Sequence, residues 1–180
     1  MKKDLYLELQ KKAAEYYDRA NIIITQKERE NIEVADFGLD QVHEIGLESI
    51  VYMNTDRVCA KEMVLFPRQT CPEHLHPPIG DYIGKEETFR CRYGRIYLYV
   101  EGEPSRKIHA KLPEGAEQYF TVFHEIILDE GDQYTLKPET KHWFQAGDEG
   151  AVVSEFSTQC YDEYDIFTDK RIKRIPTIEE

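Results

Sequence analysis

After its first thirty residues the chain becomes a series of short extended segments, and the residues between them leave few folds open. Apolar and polar side chains alternate over Ile32–Phe37 and within Gln41–Tyr52 and Cys59–Phe66. A period of two marks a strand with one face in a core. The clearest run is Phe89–Val100, rich in aromatic and β-branched residues, with Gly94 inside it as a bulge or a point of close backbone approach. Further strands are predicted at Tyr119–Leu128, Gln133–Leu136, His142–Gln145 and Ala151–Phe156. Turn residues stand between them, at Glu101-Gly102, Pro113-Glu114-Gly115, Asp129-Glu130-Gly131 and Gly147-Asp148-Glu149-Gly150. Many short strands so punctuated predict an all-β barrel or sandwich. Residues 4–20 differ: Leu5, Leu9, Ala13, Tyr16 and Ala20 recur at helical spacing and predict one amphipathic helix, packed on the main domain or on a partner subunit.

The 180 residues suffice for one domain with a substantial core. A net charge of −12 argues against a nucleic-acid surface, which needs a concentrated basic patch, and against a basic membrane-binding face. No apolar run approaches the roughly 20 residues of a membrane span. The N-terminus, MKKDLYLELQKKAAEYY, lacks the apolar region of a signal peptide, so a cytoplasmic protein is expected. Cys59, Cys71, Cys91 and Cys160 form no CxxC pair and no dense framework; in a cytosolic setting they are expected to be reduced, structural thiols.

The residues that carry chemistry begin with His74-Leu75-His76. Two histidines two positions apart on an extended segment point to the same side. Pro77 and Pro78 constrain the start of the loop 77–86, and Glu87 opens the next strand, where it can point inward. His142 opens another apolar strand. Three imidazoles and a carboxylate suit a divalent first-row metal, and four protein ligands on an octahedral ion leave two positions for substrate oxygens. His43, His109 and His124 are read as ordinary hydrogen-bonded histidines.

These residues resemble the cupin superfamily. Its first motif has His-x-His, then Glu, then Gly after six residues, matched by His74, His76, Glu87 and Gly94. Its second has Gly, a Pro-containing turn and His eleven residues after the Gly, matched by Gly131, Pro138 and His142. Ten residues, not three or four, separate His76 from Glu87, and Ala146 stands where the second motif has Asn. A narrower set is similar to the cupin-type D-lyxose isomerases over roughly residues 30–168: Ala60-Lys61-Glu62, Thr70-Cys71-Pro72-Glu73-His74, Lys85-x-Glu87-Thr88, Pro138-x-Thr140-x-His142-Trp143-Phe144 and Ser154–Thr158. The resemblance implies a single jelly-roll (double-stranded β-helix) cupin barrel over 31–168, preceded by a helical extension at 1–30. A polar tail follows at 169–180, expected as a mobile or interface arm.

The resemblance also implies Mn²⁺ held by His74, His76, Glu87 and His142, with Co²⁺, Fe²⁺ or Zn²⁺ as other occupants. Lys85 matches a lysine beside the metal. Glu155 matches one proton-shuttling acid, and Asp165 or Asp162 the other. The expected reaction interconverts D-lyxose and D-xylulose, and D-mannose and D-fructose, through a cis-enediol, with Glu155 as base, Lys85 as donor to O1 or O2, and Asp165 moving oxygen-bound protons. Lys61, Glu73 and Arg90 are candidates for sugar hydroxyls, and Tyr97, Tyr99, Trp143, Phe144 and Phe156 for a pocket lining. A free monosaccharide is favoured over a phosphosugar, because no Gly-rich loop opens a helix. The alternatives are a phosphoglucose-type isomerase, an Fe²⁺ dioxygenase or a non-enzymatic sugar-binding cupin. A homodimer is expected, as cupins commonly pair through their sheets.

Overall fold

A computed structural model describes Met1–Glu179. Helix α1 (Lys3–Arg19) buries Leu9, Ala13, Tyr16 and Tyr17 on one stripe, as the spacing predicts. A short α2 (Gln26–Glu30) is capped by Thr25 and Glu28, each bonding the other's backbone N–H. Nine strands follow: β1 (Glu33–Ala35), β2 (Leu47–Asn54), β3 (Cys59–Leu65), β4 (Thr70–Leu75), β5 (Glu87–Val100), β6 (His124–Asp129), β7 (Gln133–Leu136), β8 (His142–Ser157) and β9 (Ile166–Phe167). All pair antiparallel in one curled sheet, in the order β1-β2-β3-β8-β4-β9, with β5 joining β6, β7 and β8. This is the jelly-roll barrel expected. Among the described residues no helix is long and apolar enough to cross a membrane.

Two long strands close the barrel. β8 pairs with β4 and the C-terminal half of β5 over its first residues, and with β3 and the N-terminal half of β5 over its last. The expected strands at 142–145 and 151–156 are therefore one. The Gly-rich residues 147–150 bulge opposite Arg95 rather than ending the ladder, because Gly94 pairs with Ala151 and Ile96 with Ala146. Gly94 has φ +72°, and a Cβ there would overlap the carbonyl of Gly150. The strand expected at Tyr119–Leu128 starts only at His124; before it, residues 117–119 make a 3₁₀ turn.

One core fills the barrel, with Met63, Phe89, Ile96, Leu98 and Phe144 among its members. A second lies under α1, where Leu9, Tyr17, Ile50, Val64 and Val152 meet. Tyr99 and Trp143 stack at 3.9 Å, and Phe156 faces outward, half-exposed, so these three do not line a sugar pocket. The tail is docked rather than mobile. Lys173 N–H donates to the Phe37 carbonyl at 2.9 Å, and Glu179 exchanges backbone hydrogen bonds with Met1 and Lys3. The cysteine expectation is also corrected: Cys59 and Cys160 form a disulfide, while Cys71 and Cys91 are free and buried. The fold brings together the start of β3 and the segment after β8, 101 positions apart with Cα atoms at 5.9 Å, and no local spacing announces such a pair.

Candidate active site

The three histidines sit where β4 and β8 run side by side: His74 pairs with His142 across the ladder, and His76 follows directly on β4. Each uses Nδ1 to fix its ring. His74 Nδ1 lies 2.8 Å from the Pro72 carbonyl and His142 Nδ1 2.9 Å from that of Thr140. A carbonyl can only accept, so these nitrogens carry the protons and the Nε2 lone pairs are free. His76 Nδ1 donates to Asp165 Oδ1 at 2.5 Å, which turns Nε2 toward the cluster. Donor atoms of the three rings lie within 4.8 Å of one another.

Glu87 enters from the first position of β5, its Oε1 at 3.1 Å from both His76 Nε2 and His142 Nε2. His142 Nε2 is buried and has no hydrogen-bond partner among the described residues. An orphaned lone pair beside a carboxylate oxygen in a buried site is unfavourable unless a cation lies between them. The donor set thus fits a divalent metal. Burial first, then His142 and His76, hold His74 well below its ordinary pKa, so it is neutral, whereas against the push of burial Glu87 and then Asp165 raise His76 to about 9. Burial pushes Glu87 up, but Lys85 and His76 outweigh it and keep the carboxyl well below its usual range.

Beside the cluster, the Lys85 ammonium bridges Glu87 Oε2 at 2.8 Å and Glu155 Oε1 at 2.6 Å. Burial alone would lower the Lys85 pKa; Glu155 and then Glu87 raise it well above its ordinary value, so the side chain stays charged. Glu155 lies on β8 between Lys61 of β3 and Phe89 of β5, one inward-facing row of the barrel. Its Oε1 also accepts from Ser157 Oγ at 3.1 Å.

The acids at 162 and 165 flank one 3₁₀ turn, residues 162–164, and both line the cleft. They have different partners. Asp165 is held to His76, whereas Asp162 takes Lys61 Nζ at 2.6 Å and Arg174 Nη2 at 3.1 Å. Against the push of burial, Lys61, then Lys85 and Arg174, hold the Asp162 carboxyl far below its usual value. The cleft encloses about 440 Å³ including its solvent-open mouth, with Phe37, Met63, Phe89, Phe144 and Phe167 as apolar walls.

Two candidates lie elsewhere. Glu73 is buried on the opposite face of β4, accepting from Thr121 N at 2.5 Å, Thr121 Oγ1 at 2.8 Å, Val122 N at 3.0 Å and Thr168 Oγ1 at 2.6 Å. It pins the 101–123 loop to the strand. Arg90 is exposed on the outer face and donates to Gln133. Strand parity carries the signal for both: if His74 and Phe89 point in, their neighbours point out. Arg174 is the charged residue of the cleft lining without a role expected from the sequence, because it stands in a tail without periodic pattern.

A family model described as D-lyxose isomerase matches residues 10–180. The chain belongs to the D-lyxose isomerase family. It is 62% identical over 180 residues to the D-lyxose/D-mannose isomerase of Thermosediminibacter oceani, covering 100% of this chain and 99% of that one. It is 59% identical over 176 residues to the D-lyxose ketol-isomerase of Thermofilum sp., covering 98% of each. Among solved structures, the L-ribose isomerase of Cellulomonas parahominis with L-ribose superposes with a TM-score of 0.83 at 18% identity, covering 99% of this chain and 98% of that one. At that identity the likeness concerns the shared fold, which for this family is the cupin barrel.

Proposed function

We propose that the protein is a metal-dependent aldose–ketose isomerase that interconverts D-lyxose and D-xylulose, with D-mannose and D-fructose as a second pair. The observation that carries this reading is the convergence of three imidazoles and Glu87 Oε1 next to the buried Lys85–Glu155 pair at the cleft. The family membership supplies the sugar. A divalent ion at the four ligands, Mn²⁺ by preference with Co²⁺, Fe²⁺ or Zn²⁺ as alternatives, supplies a Lewis acid that makes the hydrogen next to a carbonyl acidic.

Glu155 takes the proton from C2 of the aldose while Lys85 gives one to O1, forming a cis-enediol; Glu155 then returns its proton to C1 as O2 gives its own to Lys85 and becomes the ketose carbonyl. Lys85, kept charged by its two carboxylates, donates to the oxygen where negative charge develops. Asp165 is committed to His76 and fixes the ring of a ligand. Asp162 holds Lys61, so neither acid of the turn is the base toward carbon. Lys61 presents its ammonium to the hydroxyls. The cleft suits a free sugar, because Arg92 pairs with Ser154 on the outer face and Arg95 with Asp129 at the surface, leaving no arginine cluster for a phosphate.

The test is metal-stripped protein incubated with D-lyxose and with D-mannose, with and without added Mn²⁺, assayed for ketose. Ketose that appears only with the metal is expected. No ketose from protein loaded with one ion per chain overturns the reading.

A further inference from the structure

The polar wall of the cleft ends at a residue delivered by the tail. Arg174 is partly buried, its side chain 12% exposed, lines the cleft with Ser49 and Asp162, and has two protein partners: Glu33 Oε1 at 2.6 Å on Nη1 and Asp162 Oδ2 at 3.1 Å on Nη2. A guanidinium has five N–H groups. Three of them find no protein acceptor among the described residues. Unused donors at the wall of a cleft call for oxygen acceptors in whatever fills it, and a polyhydroxylated sugar offers them. Arg174 stands at the β1–β2 side, since Glu33 pairs with Ser49, while the histidines stand on β4 and β8.

What holds Arg174 there is not the cleft itself. Glu33 opens β1 and does not line the cleft; it faces an outer groove of about 1000 Å³, lined also by Thr25, Glu28 and Tyr52. Arg174 and Asp162 line both spaces, so they form the wall between them. Without Glu33 the guanidinium keeps only Asp162, so its orientation is set by one contact in place of two.

We infer that Glu33 is a positioning residue for sugar binding: it clamps Arg174 so that the free guanidinium N–H groups meet the hydroxyls of the substrate. This rests on the isomerase reading and names the residue that shapes its sugar site. Glu33 touches neither the ligand cluster nor the Lys85–Glu155 pair, so it acts on affinity more than on the proton transfer. A displacement of a binding group by about 1 Å is enough to cost large factors in efficiency.

The experiment measures kcat and KM for D-lyxose, metal content and thermal stability on metal-loaded wild type, Glu33→Ala, Glu33→Gln, Arg174→Ala and the double variant Glu33→Ala/Arg174→Ala. Glu33→Ala is expected to raise KM at least about fivefold with kcat changed less than about twofold. Glu33→Gln, whose amide oxygen still accepts from Arg174, is expected to stay within about twofold of wild type. The double variant is expected to match Arg174→Ala, since a clamp with nothing to hold has no effect. An unchanged KM for Glu33→Ala, or effects that multiply in the double variant, overturns the inference. If Glu33→Ala does not fold, Glu33→Asp replaces it. The shorter acid is expected to raise KM where Gln does not, and equal KM values overturn the inference. A wild type that makes no ketose overturns the isomerase reading and this inference together. A wild type that turns over beside an unaffected Glu33→Ala overturns this inference alone.

Discussion

Two buried carboxylates on this sheet meet opposite surroundings. Glu87 has a cation and two imidazoles; Glu48, fully buried under α1, has the Gln69 amide at 3.1 Å on one oxygen and no partner among the described residues on the other. Burial, only partly offset by that hydrogen bond, pushes the Glu48 carboxyl up to about 8 from 4.5. Between those values the folded chain keeps a proton that the unfolded chain has released. Stability therefore falls as pH rises through this window and levels off above it. Glu48→Gln removes the titration. Its stability relative to wild type, read from urea unfolding at several pH values, is expected to rise with pH between about 5 and 8, by at most about 1.4 kcal/mol per pH unit. A difference that does not change with pH overturns the assignment. At the cleft, Glu155→Gln keeps an oxygen for Lys85 but cannot take a proton. Turnover is expected to fall at least about 100-fold with metal content and melting temperature unchanged. Retained turnover sinks Glu155 as the base.

Among the elements, β5 and β8 decide the shape, and their crossing depends on Gly94. An Ala there would need φ +72° and would strike the Gly150 carbonyl, two costs that relaxation of a neighbouring side chain cannot remove. Gly94→Ala is expected to lose about 2 kcal/mol or more in denaturant unfolding; a loss under about 0.5 kcal/mol would show that the close approach does not constrain the barrel. Much at this scale is legible in the chain. Alternation locates β5 and helical spacing locates α1, because each presents a buried face, and the three histidines expected to face one another by spacing do converge. The merging of two expected strands into β8 is not legible. Gly147-Asp148-Glu149-Gly150 has the residues of a turn, and whether they reverse the chain or bulge from a strand depends on Gly94 across the sheet. Glu73 and Arg90 have suitable chemistry but the wrong parity. Arg174 has no local pattern, and its guanidinium is held by Glu33 and Asp162 from other parts of the chain.

At the scale of the molecule, the link between Cys59 and Cys160 ties the start of β3 to the segment that leads into Asp162 and Asp165. Closing a span of 101 positions restricts the unfolded chain strongly. Reduction with a dithiol, or Cys59→Ser with Cys160→Ser, is expected to lower unfolding stability by about 2–4 kcal/mol. Denatured protein never exposed to reductant is expected to titrate with two thiols, from Cys71 and Cys91; four would refute the pairing. The Glu33–Arg174 clamp has a different reach in time. The four candidate ligand side chains are all translated by residue 142, on β4, β5 and β8, but the guanidinium at the cleft wall follows only at residue 174, 141 positions after the carboxylate that receives it. A chain emerging from the ribosome thus carries its candidate metal ligands before the residue that completes the wall of the cleft.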